Sequence, residues 1–255
     1  MKQFIWTLKK ELPNRWKKEL SKEGITYFHF PLIHFEKIKI SENEMLETIN
    51  STDGILLTSR IAAQFFCEYY KNPTFVKQKK IFTISAAAQE RLSEEGISAE
   101  KIANHRTDLT DEKLLATFPN SRFELIHFCS EITPPCDWRN LIHLGINVKR
   151  VPIYRTLTRK TPELATTINN DNQTMIVFGS PSGVDGFLDH FKSLEVGLVF
   201  LSNHDIAAMG KSTENKLKNN GITKYVRSNV PVINELMKNI LNSKFIMEEL
   251  NEFTG

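Results

Sequence analysis

"LGINVKRVPIY", residues 144–154, decides the fold, because "EGITYFHFPLI", residues 23–33, echoes it. Gly24 answers Gly145 and Pro31 answers Pro152, each pair 121 residues apart (145 − 24 and 152 − 31). At the same displacement "DGILLTSRIAAQFF" (53–66) falls on "TMIVFGSPSGVDGF" (174–187), with Ser59 on Ser180. Further on, "KKIFTISAAAQERLSEEGI" resembles "GLVFLSNHDIAAMGKSTENKLKNNGI", where Gly96 and Gly221 stand 125 apart (221 − 96). Landmarks that recur in one order mark a tandem pair of similar units.

Each copy alternates short apolar runs with helical patterns. In the first, GILL (54–57) and KIFTI (80–84) read as buried strands, and Ile61, Phe65, Phe66 and Tyr69 share a helix face. AAAQERLSEE then predicts a helix closed by Gly96. In the second, MIVF (175–178) and GLVFL (197–201) read as strands, and Val184, Phe187, Leu188 and Phe191 share a helix face. STENKLKNN predicts a helix closed by Gly221. Strand–helix alternation with short links gives parallel sheets covered by helices on both faces. The expected architecture is two flavodoxin-like α/β domains, with the extended links around Pro31 and Pro152 running between them.

A chain of 255 residues, 40% apolar and 25% charged, suits a globular protein of one large or two ordinary domains. Its 33 basic and 30 acidic residues leave a net charge of only +3, without the clustered basic excess of a nucleic-acid binder. A small anionic ligand stays open, since a local group of Lys and Arg matters more there than the total. Cys67, Cys129 and Cys136 are an odd set, which argues against a disulfide framework and for a reducing compartment. The start, MKQFIWTLKKELP, has too short an apolar stretch for a signal peptide, and no run approaches the ~18 apolar residues of a membrane span. A cytoplasmic protein without membrane or nucleic-acid partners is expected.

Open α/β sheets bind ligands beyond the C-terminal ends of their strands, where helix N-termini offer free N–H groups. Four such turns are visible: Thr58-Ser59-Arg60, Ser85-Ala86-Ala87, Gly179-Ser180-Pro181-Ser182-Gly183 and Gly210-Lys211-Ser212-Thr213. Any one hydroxyl there is explained as a helix cap that stabilises by ~1 kcal/mol. The duplication of the turn is the stronger sign of a site. "MGKST" is not a complete phosphate loop, because Asp205 stands where the first glycine belongs. His127, Cys129, Cys136 and His143 match no compact zinc pattern, and alternation in "ELIHFCS" explains His127 and Cys129 as core residues. No G-x-S-x-G elbow supports a Ser–His–acid triad. Tyr154, whose partner in the repeat is the apolar Ile33, would put a proton donor in the second link.

The ordered set strand-T-S-x-x-A, G-x-x-V-x-x-V-P-x-Y-R-T, F-x-S-P-S-G-V and A-x-G-x-x-T, with a helix ending in G-I, resembles the uroporphyrinogen-III synthase family over nearly the whole chain. The resemblance implies two α/β domains joined by a two-stranded ladder, with the active site between them. The first would be discontinuous, 1–32 with 160–255, the second 37–152, and the linkers 33–36 and 153–159. The implied activity is that of a lyase. It closes hydroxymethylbilane, a linear tetrapyrrole, with loss of water and inversion of ring D to give uroporphyrinogen III. That chemistry needs one proton donor, restraint of a floppy ligand and hydrogen bonds for its carboxylates, and neither metal nor organic cofactor. Carried over by position, the proposed acid is Tyr154. Substrate binding falls to Thr58, Ser59 and Arg60 in the first copy, and to Ser180, Ser182, Gly183, Ser212 and Thr213 in the second. A monomer is implied. In the first copy Ser85 and Ala88 replace the Gly and Thr of A-x-G-x-x-T. A non-catalytic binding protein for a polyanionic ligand is the alternative, since the same fold serves either.

Overall fold

A computed structural model describes residues 2–69, 79–103, 111–118, 122–133, 138–168 and 173–243. Two sheets organise them. The first has the order β11-β10-β9-β1-β2, built from β1 (Gln3–Trp6), β2 (Thr26–His29), β9 (Thr174–Phe178), β10 (Asp205–Ala208) and β11 (Val226–Arg227). The second has the order β3-β8-β7-β4-β5-β6, built from β3 (Ile33–Lys37), β4 (Gly54–Leu57), β5 (Lys80–Thr83), β6 (Glu100–Lys101), β7 (Phe123–Ser130) and β8 (Ile146–Thr158). The pairings within β1-β2-β9-β10-β11 and within β8-β7-β4-β5-β6 are parallel. By internal contacts the chain divides into two compact units, Met1–His34 with Leu157–Gly255, and Phe35–Thr156.

Counted along the chain, the five strands of the first sheet stand in the order 2-1-3-4-5, the flavodoxin-like arrangement. In the second sheet the same spatial order is reached by a permutation, with β7 and β8, last in the chain, in the places of β1 and β2. The registers agree residue by residue. Trp6 pairs with Val177 in one sheet, and His127 pairs with Leu56 in the other, and both members are displaced by 121 (127 − 6 and 177 − 56). The extra strand β3 lies outside β8. Ile38 N–H donates to Ile153 C=O at 3.0 Å and Arg159 N–H to Leu32 C=O at 2.8 Å, so the two strands run antiparallel.

Both faces of each sheet are covered, which is why the strands read as unbroken apolar runs. Alternate residues feed opposite cores. Ile55, Leu57, Ile126 and Phe128 enter one core of the second unit, and Leu56, Phe82 and Leu125 the other. In the first unit Ile5, Ile176 and Phe178 face one core and Phe4, Trp6, Met175 and Val177 its counterpart. Among the described residues only Gly24, Gly96, Gly145 and Gly221 have positive φ, between 66° and 79°. These are the glycines that revealed the repeat. A Cβ at Gly24, Gly96 or Gly221 would meet nothing within 4 Å. The requirement there is therefore conformational: the left-handed turn that ends each helix costs a branched residue about 1–2 kcal/mol.

One expected strand is a helix. GLVFL lies inside the helix Leu194–Ser202, capped by Ser193, whose hydroxyl accepts from Val196 N–H. Gly197 lets this helix close on Leu188 and Phe191, since a Cβ there would approach Leu188 Cδ2 to 2.8 Å. A five-residue apolar run does not distinguish a strand from one buried side of a helix. The true counterpart of KIFT is DIAA, β10, and its displacement (205 − 80) is the same 125 that separates Gly96 from Gly221.

Candidate functional site

In the second unit the strand connections reverse direction between β4 and β7, so the ends of these neighbours form its topological switch point, the usual ligand crevice of such sheets. Thr58 and Ser59 follow β4 there, Ser130 ends β7, and Tyr154 lies on β8 beside it. The VPIY sequence shapes this corner. Pro152 pairs with Cys129, but Ser130 pairs with Tyr154, leaving a bulge at Ile153. A bulge breaks the alternation of a strand. Accordingly Ile153 and Tyr154, though consecutive, are both buried in the same core, at 0% and 8% exposure.

The Tyr154 ring stacks on Phe65 at 5.5 Å and meets the edge of Phe35 at 5.8 Å. Its hydroxyl lies 3.5 Å from Ser59 Oγ, a long contact. Ser59 Oγ also accepts from Ala62 N–H at 3.0 Å, capping the helix Arg60–Tyr69. Burial is the main cause that raises the Tyr154 pKa above its ordinary 10.0, opposed by the Ser59 hydroxyl. The nearby Cys129 thiol adds to the rise and the Ser130 hydroxyl opposes it. Ser130 Oγ is itself buried and, among the described residues, makes no hydrogen bond of ordinary geometry. The phenol thus keeps its proton throughout the neutral range and can act as a hydrogen-bond or proton donor.

Thr58 is held from the opposite face of the sheet. Its Oγ1 lies 3.1 Å from His127 Nε2, and Trp138 Nε1–H donates to His127 Nδ1 at 2.9 Å. Neither His127 nor Trp138 was singled out as functional from the sequence. Their partnership spans 69 residues between Thr58 and His127, and the only local sign was a histidine on an apolar strand. Cys136, weighed with His127 as a metal ligand, lies outside the described residues. Arg60 is exposed, and its guanidinium binds Glu90 at 2.9 Å and Glu94 at 2.8 Å.

The first unit brings its own two turns side by side, because β9 and β10 are paired up to Phe178 and Ala208. After β9, Ser180 caps the helix Pro181–Leu188: its Oγ accepts from Gly183 N–H at 3.1 Å, and its own proton stays available to donate. Ser182 is half-buried in the first turn. After β10, Gly210 supplies no side-chain cap to the nine-residue helix Lys211–Asn219, so its first-turn amides lack a capping acceptor. Ser212 there is exposed, whereas Thr213 is buried at 1% exposure. Glu214 braces this end. It is bonded to Lys218 at 2.8 Å, Tyr225 at 2.9 Å, Arg227 at 3.0 Å and Lys211 at 3.3 Å. Lys218 first and Tyr225 next hold its pKa down at about 2. The helices Pro181–Leu188 and Lys211–Asn219 are tied by Lys216 and Asp185 at 2.6 Å. Ser59 and Tyr154 are therefore in contact, Thr58 beside Ser59 turns its hydroxyl to His127, Ser180, Ser182, Gly183 and Ser212 line two adjacent helix starts, and Thr213 is withdrawn from the surface.

The family model described as uroporphyrinogen-III synthase HemD matches residues 14–238. A search of curated proteins finds no match. Among solved structures, the chain is similar to a mutant uroporphyrinogen III synthase from the extremely thermophilic bacterium Thermus thermophilus, with TM-score 0.63 and 18% identity over 97% of this chain and 99% of that one. It is also similar to uroporphyrinogen-III synthetase from Helicobacter pylori, with TM-score 0.66 and 14% identity over 95% and 99% of the two chains. At such identity the structural likeness carries the fold alone.

Proposed function

The chain belongs to the uroporphyrinogen-III synthase HemD family, and from that premise we propose that it acts as a cyclising lyase on hydroxymethylbilane, releasing water and inverting ring D. The family match carries this reading and favours it over a non-catalytic binding protein. Tyr154 is the proposed proton donor to the departing hydroxyl, a role supported by a phenol that burial keeps protonated. Thr58 and Ser59 are proposed to bind substrate carboxylates, as are Ser180, Ser182 and Gly183 with the amides of their helix start. Ser212 and Thr213 would do the same at the uncapped helix, Thr213 through its backbone N–H. Arg60 joins them by exchanging Glu90 and Glu94 for a substrate carboxylate. We further propose domains 1–32 with 160–255 and 37–152, a monomer, and a cytoplasmic setting without nucleic-acid partners. Among the described residues no helix is long and apolar enough to cross a membrane.

The test is product analysis. Purified protein given hydroxymethylbilane should yield the type III isomer faster than spontaneous closure yields type I. A product mixture that is type I alone, formed at the spontaneous rate, overturns the synthase reading.

A further inference from the structure

We propose that Trp138 and His127 form a relay that fixes the Thr58 hydroxyl as acceptor toward His127 and so leaves its proton to donate, set to receive a carboxylate of the substrate. The inference rests on the synthase reading for the identity of that carboxylate, and on geometry for the rest. An indole N–H can only donate. At 2.9 Å from Trp138 Nε1, His127 Nδ1 must present its lone pair, so the neutral ring carries its proton on Nε2. The rings meet edge to face, with centroids 5.0 Å apart at 88°, and both are buried, at 1% and 4% exposure. His127 Nε2–H therefore donates to Thr58 Oγ1 across 3.1 Å. Having accepted there, Thr58 turns its own proton elsewhere, and among the described residues no acceptor takes it. A half-buried donor at a switch point suits an anionic acceptor, since hydrogen bonds to charged groups are the stronger ones.

The simpler account is that Thr58 and Trp138 merely satisfy a buried histidine. The first unit argues against it. At the same register that sheet carries Trp6 for His127, and Gly179 stands at the repeat position of Thr58 (179 − 58 = 121). There the fold is made with Trp6, whose indole N–H donates to Lys10 C=O at 2.7 Å, and without such a relay. The polar triad is thus an addition in the second unit. His127 and Trp138 act through Thr58 and are positioning residues.

The tautomer can be read in the native protein, without any variant, by nitrogen–proton correlation NMR of the His127 ring. The expected pattern is a bare Nδ1 and a protonated Nε2 over neutral pH; the reverse tautomer overturns the relay whether or not the protein is a synthase. Kinetics then test its use. Thr58→Val should raise KM for hydroxymethylbilane about 10-fold, the scale of a hydrogen bond to a charged group, with kcat little changed. Thr58→Ser should restore most of it. Trp138→Phe keeps the ring but frees the imidazole to take either tautomer, and should raise KM about 3-fold or more. In a Thr58→Val background the Trp138→Phe change should add nothing. A KM that is unmoved by Thr58→Val, or Trp138→Phe effects that multiply in the double variant, overturns the proposal. Activity of the native chain on the bilane decides the synthase reading separately.

Discussion

Replacing Tyr154 by Phe removes one oxygen and little else, which makes it the sharpest test of the proposed proton donor. The ring would keep its stack on Phe65 and its edge meeting with Phe35. Ser59 would keep its cap on Ala62 N–H, and its 3.5 Å approach to the phenol oxygen is at the weak end of hydrogen bonding, with the Ser130 hydroxyl the phenol's other polar neighbour. The loss of stability should thus stay below about 1 kcal/mol. By contrast, Tyr154→Ala would empty an aromatic site in the core at a cost of about 3–5 kcal/mol and would confuse folding with catalysis. A positioned general acid contributes about 10²- to 10⁴-fold in rate. Tyr154→Phe should therefore lower kcat by at least about 10²-fold with KM nearly unchanged, and the type I fraction should rise as spontaneous closure competes. The assay is chromatographic separation of the oxidised isomers over time, beside a thermal melt of both proteins. Because burial raises the phenol above its ordinary pKa of 10.0, the native rate should show no loss attributable to this group across the neutral pH range. An unaltered kcat in a folded Tyr154→Phe protein removes the phenol from the chemistry.

Three further outcomes follow from the same geometry. Glu214 is held at about 2 against an ordinary 4.5, so its ion pairs stabilise the fold above about pH 4.5 and that contribution is lost as pH falls toward 2. Glu214→Gln should melt below the native protein at pH 7, and the gap should close between pH 4.5 and 2; a gap that is constant with pH refutes the charge account. Phe187, fully buried against Phe178, Phe191 and Phe200, should cost about 3–5 kcal/mol on change to Ala, measured by urea unfolding. Arg60→Gln should alter stability by less than about 1 kcal/mol because both its carboxylate partners are exposed. A rise in KM for that variant supports its exchange onto substrate, and an unchanged KM removes it from the site.

The parts of the fold that were legible in sequence are those set by local rules. Gly24, Gly96, Gly145 and Gly221 had to be glycine because each ends a helix at positive φ, so the duplication survived in them when most side chains had diverged. GILL and MIVF were legible because strands covered on both faces admit only apolar residues. GLVFL failed for the converse reason. Its helix lies over Leu188 and Phe191 and still leaves Val199 63% exposed, so its apolar character does not follow burial. The true strand, DIAA, begins on a charge and continues in alanine, residues with little preference for sheets. The hydroxyl turns were visible as punctuation between elements. The His127–Trp138 pair was not, because a hydrogen bond joining a strand to the next helix start leaves no periodic trace.

The two units also differ in what their switch points can accept, and the difference can be tested from the poorer side. At the position of Thr58 the first unit has Gly179, where a Cβ would sit 2.5 Å from Leu8 Cγ and 2.9 Å from Leu8 Cδ2. Leu8 lies two residues past β1 and is half-buried, and its neighbour Thr7, 2% exposed, is pinned by its Oγ1 donating to Val177 C=O at 2.7 Å. A side chain at Gly179 thus has to displace a leucine at its branch point rather than at a free tip. Gly179→Ala should destabilise by about 1–3 kcal/mol, the range of overpacked sites, and Gly179→Thr by more. Thr58→Gly, the mirror change, creates no collision, but besides about 0.5–1 kcal/mol in backbone entropy it leaves the buried His127 Nε2–H without its acceptor, a further cost of about 1–3 kcal/mol. Native-like stability of Gly179→Ala in urea would show that Leu8 yields freely, and the glycine would then need another reason. If the asymmetry holds, a hydroxyl cannot be built into the first switch point by one substitution. Contacts at that position would then be left to backbone amides, with side-chain hydroxyls supplied only from neighbouring positions such as Ser180 and Ser182.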